Sequence, residues 1–220
     1  DPHFVVAVDP QLVNTQYFRG VKNSRSILVT DGAVYPTLLH NFTGQVYISA
    51  VPFPFAVWYQ RQLGEKGALS SGGSVSTTAF DLAWRMGCNP VTLVGQDLAY
   101  SEERIHVRGA SGEELWENSA NRLTPVTRNM RSFLKKNRTV KIPAYHPGGT
   151  IWSDRKFLTF LWWFERKLKQ LPELTVWNAT EGGAAISGAV PRPLAAIVAE
   201  LPARTESLPP APGTAPADPG

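Results

Sequence analysis

The chain has 220 residues, of which 43% are hydrophobic and 18% charged, and a net charge of +4. That is enough for one good core, or a core with a short appendage, and no apolar run nears the roughly 20 residues of a membrane helix. The single cysteine, Cys88, excludes an internal disulfide and fits a reducing, cytoplasmic setting, as does the lack of a basic-then-apolar signal pattern at the N-terminus. Positive charge favours anionic ligands in general. The basic cluster of Arg128, Arg131, Lys135, Lys136, Arg138 and Lys141 has only Phe133 interleaved. It reads as a solvated loop, or as a surface that meets a phosphate or an acidic partner, and not as a nucleic-acid interface.

The first element is a strand at 4–8, a continuous apolar run bounded by Pro2 and by Asp9 with Pro10. A short helix over 11–18, a strand at 26–30, a helical turn at 34–39 and a strand at 45–48 follow, then a short helix over 55–63 behind Pro52 and Pro54. A small-residue turn, Ser70 to Ser74, opens the next helix, whose apolar face is predicted to be Val75, Ala79, Leu82, Ala83 and Met86. Gly87 is placed for its C-cap, Cys88 for a small packing residue, and 91–94 for the strand after it. Strand, helix and strand with short connections imply parallel pairing and right-handed crossovers.

Residues 109–150 read as an irregular insertion or lid, with strands near 123–128 and 139–143. Ser153 is predicted to cap a helix from Asp154, burying Phe157, Phe160, Leu161, Phe164, Leu168 and Leu171. A strand at 174–177 and a short helix over 191–201 close the core. Residues 203–220, rich in Pro, Ala and Gly, are expected to be a disordered tail. The fold class is therefore α/β: a Rossmann-like, three-layer, open and mostly parallel sheet. Its core is assigned to 1–108 and 151–202.

In an open α/β sheet the C-terminal strand ends form the working rim. Four polar clusters are predicted there: Asp9; Asp31 with Gly32; Gln96, Asp97 and Tyr100; and Asn178, Thr180 and Glu181. Ser71, Gly72, Gly73 and Ser74 begin the central helix, where backbone donors suit an anion; a plain N-cap is the simpler reading. Asp97, read as buried at a strand end, needs a partner or a ligand. Gly182 and Gly183 read as a tight turn. No Walker A sequence and no Gly-x-Gly-x-x-Gly after a strand is present. His3, His40, His106 and His146 show no metal-ligand spacing. His106, a few residues beyond Tyr100, is a candidate general base near neutral pH, or a loop histidine without a role.

The stretches PHFVVAVDP, SSGGSVSTTAFDLAWRMG, VTLVGQDLAY and VWNATEGGAAISG resemble the motility-associated factor glycosyltransferases. These share a domain with 6-hydroxymethylpterin diphosphokinase-like proteins. A fainter likeness runs to bacterial sialyltransferases that use CMP-activated sugars. The resemblance implies transfer of pseudaminic or legionaminic acid from its CMP form to Ser or Thr of flagellin, in the cytoplasm, without nucleic acid or membrane. It also implies that Ser71, Gly72, Gly73 and Ser74 hold the nucleotide. Gln96, Asp97 and Tyr100 would line the site, Glu181 would close it, and His106 would take the acceptor proton. No cofactor or metal is firmly implied. The family's Gly-rich first loop would lie upstream of Pro2, so the chain is expected to be a domain fragment or a truncated protein. An ATP-dependent pterin diphosphokinase-like activity with Mg²⁺ is the alternative, and a non-catalytic module binding flagellin or nucleotide is a third reading.

Overall fold

A computed structural model describes residues 2–18, 25–50, 53–64, 67–100, 120–123, 125, 128, 132 and 139–202. The predicted base His106, most of the predicted lid, the basic residues Arg131, Lys135, Lys136 and Arg138, and the predicted tail from 203 on lie outside these. The described residues up to Ser70, with Pro202, group into one unit, and Ser71–Leu201 into a second. Each contains a three-stranded parallel sheet with helices, and the second adds an antiparallel hairpin. Among the described residues no helix is long and apolar enough to cross a membrane.

In the first unit, β1 (Phe4–Ala7), β2 (Ile27–Asp31) and β3 (Val46–Ser49) form a parallel sheet in that order. A 3-10 helix over Leu12–Phe18 and helix α1 (Pro36–Asn41) make the crossovers, and α2 (Pro54–Leu63) follows β3. Parallel pairing requires such connections, because consecutive parallel strands cannot be joined by a tight turn. Leu28, Val34, Leu38 and Phe42 form the core. Buried Thr30 is satisfied by donating to the Ala7 carbonyl at 2.6 Å. At the strand ends, Asp9 accepts from the Gln11 amide and Asp31 from the Ala33 amide, both at 2.8 Å. These carboxylates close local turns.

The second unit contains α3 (Val75–Arg85), β4 (Val91–Leu93), the hairpin β5 (Val140–Pro143) and β6 (Thr150–Ser153), α4 (Arg155–Gln170), β7 (Val176–Asn178), β8 (Val190–Pro191) and α5 (Leu194–Glu200). Strands β4, β7 and β8 form a parallel sheet in that order. Its core is built from Phe80, Leu93, Phe164, Leu168, Val176 and Ala184 among others. Phe164, fully buried, meets the Phe80 ring edge-on at 5.6 Å and the Trp163 ring at 5.3 Å. Such edge-to-face contacts add to the area buried.

Three local expectations are corrected. Helix α3 does not bury the stripe from Val75 to Met86, both of which are exposed; it buries Thr77, Thr78, Phe80 and Asp81. A hydroxyl that bonds its own turn, and a carboxylate that is paired, take the inward positions. The N-cap of α4 is Asp154, whose Oδ1 accepts from the Phe157 amide at 2.8 Å, while Ser153 donates to the Leu98 carbonyl at 2.9 Å. Cys88 is exposed and does not pack. Its amide serves the helix end: Cys88 N–H donates to the Ala83 carbonyl at 3.0 Å and Gly87 N–H to that of Trp84 at 2.9 Å. With φ of 81° at Gly87, this is a Schellman end, so the predicted C-cap glycine is in place. Strands β6 and β8 have no counterpart in the sequence reading.

A strand-end site in the second unit

The loops that follow β4 and β7 meet through their backbones. Ala179 N–H donates to the Leu93 carbonyl at 2.8 Å, Gln96 N–H to the Thr180 hydroxyl at 3.0 Å, and Ala184 N–H to the Asp97 carbonyl at 2.7 Å. Gly183 is what allows the last of these. A Cβ there would stand 2.4 Å from the Asp97 carbonyl oxygen and 2.5 Å from its Cα, and φ at Gly183 is 72°. Of the expected Gly182–Gly183 turn, only Gly183 makes a close approach, since a Cβ on Gly182 meets nothing.

Two non-glycine residues in these loops also adopt left-handed backbone, Leu98 at φ 51° and Glu181 at φ 60°. Each costs about 1 kcal/mol relative to ordinary backbone, a strain that the surrounding structure must hold in place. Buried Leu98 is held by the core and by the bond from Ser153. Glu181 is held by its own carboxylate, which accepts from the Leu194 amide at 2.9 Å, at the first turn of α5. A carboxylate is favourable against a helix start.

Tyr100 is buried and ties this site to α4. Its hydroxyl donates to Asp154 Oδ2 at 2.5 Å, and its ring lies 5.1 Å from that of Phe157. Burial, followed by the bond to Asp154 and its charge, pushes the phenol far above its ordinary value. Asp154 thus serves two donors, the Phe157 amide and Tyr100, and fixes the segment after β4 to the start of α4. Sequence reasoning missed this role of Asp154, although an Asp next to Ser before a helix was the available signal.

Asp97 itself is exposed, against the expectation of burial. Enough protein still surrounds its carboxyl for desolvation to raise its pKa above the ordinary value of 3.8. A carboxyl raised in the fold is easier to keep neutral there than in the unfolded chain. Its contribution to stability is therefore full at low pH and is lost as pH rises through the raised value. Replacing Asp97 by Asn removes this dependence. The melting temperature of D97N is expected to equal the parent's near about pH 3 and to exceed it modestly near about pH 7; thermal melts across that range check it, and a difference that shrinks with rising pH contradicts it.

The start of α3 is shaped by packing. The Thr77 hydroxyl accepts from the Gly72 amide at 2.8 Å and donates to the Ser74 carbonyl at 2.5 Å. The Gly73 amide donates to the Ser71 hydroxyl at 3.3 Å, and Ser74 shares a bond with Ser76 at 3.0 Å instead of capping the helix. Gly72 is bare because a Cβ would lie 2.4 Å from the Trp163 ring; Gly73, at φ 89°, faces Phe160. The amides of Val75 and Ser76 open the helix and have no acceptor within it. They are the donors that this segment offers an anion.

The second unit thus brings together the loop segments of Gln96, Asp97 and Thr180 at the ends of β4 and β7, whereas the Tyr100 hydroxyl goes to Asp154 and the Glu181 carboxylate to the Leu194 amide. Gly72 and Gly73 pack on α4, whose N-cap holds Tyr100, while Ser71 and Ser74 bond within their own turn. Asp9 and Asp31 belong to the first unit. Among the described residues no group of His, Cys, Asp or Glu is placed to hold a metal ion.

These features define a parallel α/β protein with polar, strained strand ends. Residues 1–103 match the family model of the 6-hydroxymethylpterin diphosphokinase MptE-like proteins. The structure is similar to that of a Maf glycosyltransferase from Magnetospirillum magneticum AMB-1, with a TM-score of 0.61 and 16% identity over 87% of this chain and 26% of that one. An uncharacterized protein of Treponema pallidum (strain Nichols) is 24% identical, over 86% of this chain and 56% of its own length. The chain therefore spans about half of one relative and a quarter of the other. The resemblance to the motility-associated factor proteins, through the domain they share with the MptE-like family, is borne out by these matches.

Proposed function

We propose that the strand ends of the second unit form the nucleotide-sugar site of a glycosyltransferase-type domain. It transfers a nonulosonic acid, pseudaminic or legionaminic, from its CMP form to Ser or Thr hydroxyls of flagellin in the cytoplasm. The observation that carries this reading is the contact of Gly183 with the Asp97 backbone. It joins the Gly95-Gln96-Asp97 and Thr180-Glu181-Gly182-Gly183 segments at the carboxyl ends of neighbouring parallel strands, where open α/β sheets bind their ligands. In this reading the first amides of α3 hold the phosphate, and Gln96 and Asp97 meet the ligand's hydroxyls. Departure of CMP leaves negative charge on the phosphate, which fixed backbone donors stabilise without reorganising. The fold it shares with a Maf glycosyltransferase supports the same reading.

The match of residues 1–103 to the MptE-like model favours a second reading, a diphosphokinase using ATP and Mg²⁺. Thermal melts separate the two. CMP is expected to raise the melting temperature of the chain and ATP with Mg²⁺ to leave it unchanged. Protection by ATP with Mg²⁺ alone supports the second reading. Protection by a flagellin fragment with neither nucleotide active reduces the chain to a binding module.

A further inference from the structure

Resting on the proposed transfer reaction, we propose that His146 is the general base of the strand-end site. The turn between β5 and β6 carries it, and that turn is fastened directly to the two loops of the site. Ala144 and Ala184 form an antiparallel bridge. Tyr145 N–H donates to the Gly183 carbonyl at 2.8 Å, and Ala185 N–H to that of Pro143 at 3.0 Å. Ala184 in turn donates to the Asp97 carbonyl, so a single residue separates the backbone of the His146 turn from that of Asp97.

The neighbours of His146 are fixed on both sides. Tyr145 is buried, with its hydroxyl donating to the carbonyl of buried Asn178 at 3.2 Å. Beyond His146 the chain is closed by Gly149 N–H to the His146 carbonyl at 3.2 Å and Ala144 N–H to the Gly149 carbonyl at 3.0 Å, with Gly148 at φ 78°. The imidazole is exposed and stands edge-on to the Tyr145 ring at 5.1 Å. A pinned backbone with a free, wet side chain is what a proton-exchanging group at the mouth of a site needs. His3 and His40 belong to the other unit, and His106 lies outside the described residues.

Imidazole is the side chain that ordinarily exchanges its proton near neutral pH. In the step, its unprotonated nitrogen takes the proton of the acceptor hydroxyl as that oxygen bonds to the anomeric carbon of the sugar. The bond from this carbon to the phosphate oxygen breaks, and its electron pair leaves with CMP. The imidazolium then returns its proton to water. The titratable and charged groups on the segments packed around the turn are Asp97 after β4, Glu181 after β7 with its carboxylate on the Leu194 amide, Tyr145 beside it, and Lys141 on β5, which lies 5.3 Å over the Trp152 ring.

The test uses the whole chain with CMP as probe, its histidines isotope-labelled and assigned with His146→Gln and His106→Gln. The imidazole resonances of His146 are expected to move on adding CMP, because the bound phosphate would lie beside the ring. His146→Gln is expected to keep the thermal protection by CMP. It is expected to lower CMP release from a CMP-nonulosonic acid, with a serine peptide present, by about 100-fold or more in kcat with little change in KM. Protection by CMP with an unmoved His146, full turnover by His146→Gln, or the same effects on His106 in place of His146 overturns this inference and leaves the proposed function standing. A chain that neither binds CMP nor turns over the CMP-sugar removes both.

Discussion

Replacing Gly183 by alanine is expected to destabilise the second unit by about 2–4 kcal/mol, a left-handed backbone penalty plus overpacking against main chain. The magnitude follows from what the new methyl meets. The Asp97 carbonyl oxygen, Cα and carbonyl carbon lie 2.4, 2.5 and 2.8 Å from its position, and none belongs to a flexible side chain. Relief requires the loops after β4 and β7 to separate, which breaks the bond from Ala184 to Asp97. Gly182→Ala is the control. Its Cβ meets nothing and its backbone is not left-handed, so its cost stays within about 0.5 kcal/mol. Urea unfolding of both variants measures the difference. In the proposed site G183A is also expected to lose protection by CMP while G182A keeps it. Equal stability of the two variants would show that the strand-end contact is not fixed as described.

That contact marks the boundary of what the sequence made legible. Continuous apolar runs announced β1, β2 and β4; strands of a parallel sheet need no alternation to be seen when both faces are covered, which holds best for β2 and β4, while β1 is half-buried throughout. Gly87 announced the end of α3 because few residues other than glycine take a left-handed C′ position. The buried face of α3 was not legible. Thr77 and Asp81 are polar by type, and only the Gly72 amide and the basic groups around Asp81 make them inward residues. Ser153 and Asp154 are both good caps, and the choice between them depends on Leu98 and Tyr100, more than 50 residues away in sequence. Strand β8, two residues ending in Pro191, carries no periodicity to detect.

The candidate site shows the same division. Gln96, Asp97, Thr180 and Glu181 were visible as polar residues after apolar strands; the structure places them on the adjoining loops after β4 and β7, with the Glu181 carboxylate on the Leu194 amide. The reason for the glycines was not visible. A Ser-Gly-Gly-Ser helix start suggests close approach of a phosphate, yet Gly72 is required by the Trp163 ring and Gly183 by the Asp97 backbone. Close approach was the correct inference from glycine, and the approaching group lies elsewhere in the chain. Only the pairing of distant segments decides that.

The buried charge on α3 is expected to produce the other large effect. Asp81 is fully buried, its Oδ2 2.7 Å from Arg85 Nε and its Oδ1 2.8 Å from Lys167 Nζ on α4. Lys167 also lies 4.2 Å over the Trp84 ring, so one ammonium links a carboxylate and an indole across the α3–α4 interface. Removing one partner of a buried pair leaves the other uncompensated, and Asp81→Ala is expected to cost about 3–5 kcal/mol. Arg85 is half exposed, so Arg85→Ala should cost about 1 kcal/mol or less, as a screened pair does. The decisive variant is the double replacement Asp81→Leu with Lys167→Met. It removes both charges and fills the space with apolar atoms, and buried ion pairs often lose little when replaced in this way. Denaturant titration of the three variants is expected to rank Asp81→Ala lowest, with the double variant recovering most of the loss. If the double variant is as unstable as Asp81→Ala, the cost lies in packing at Asp81 and not in its charge. Because α3 begins at the Gly72–Trp163 contact and α4 begins at the Asp154 bond to Tyr100, loosening this pair should also lower CMP affinity. A change at a residue that meets no ligand would then report how far the strand-end site depends on the seating of α3 against α4.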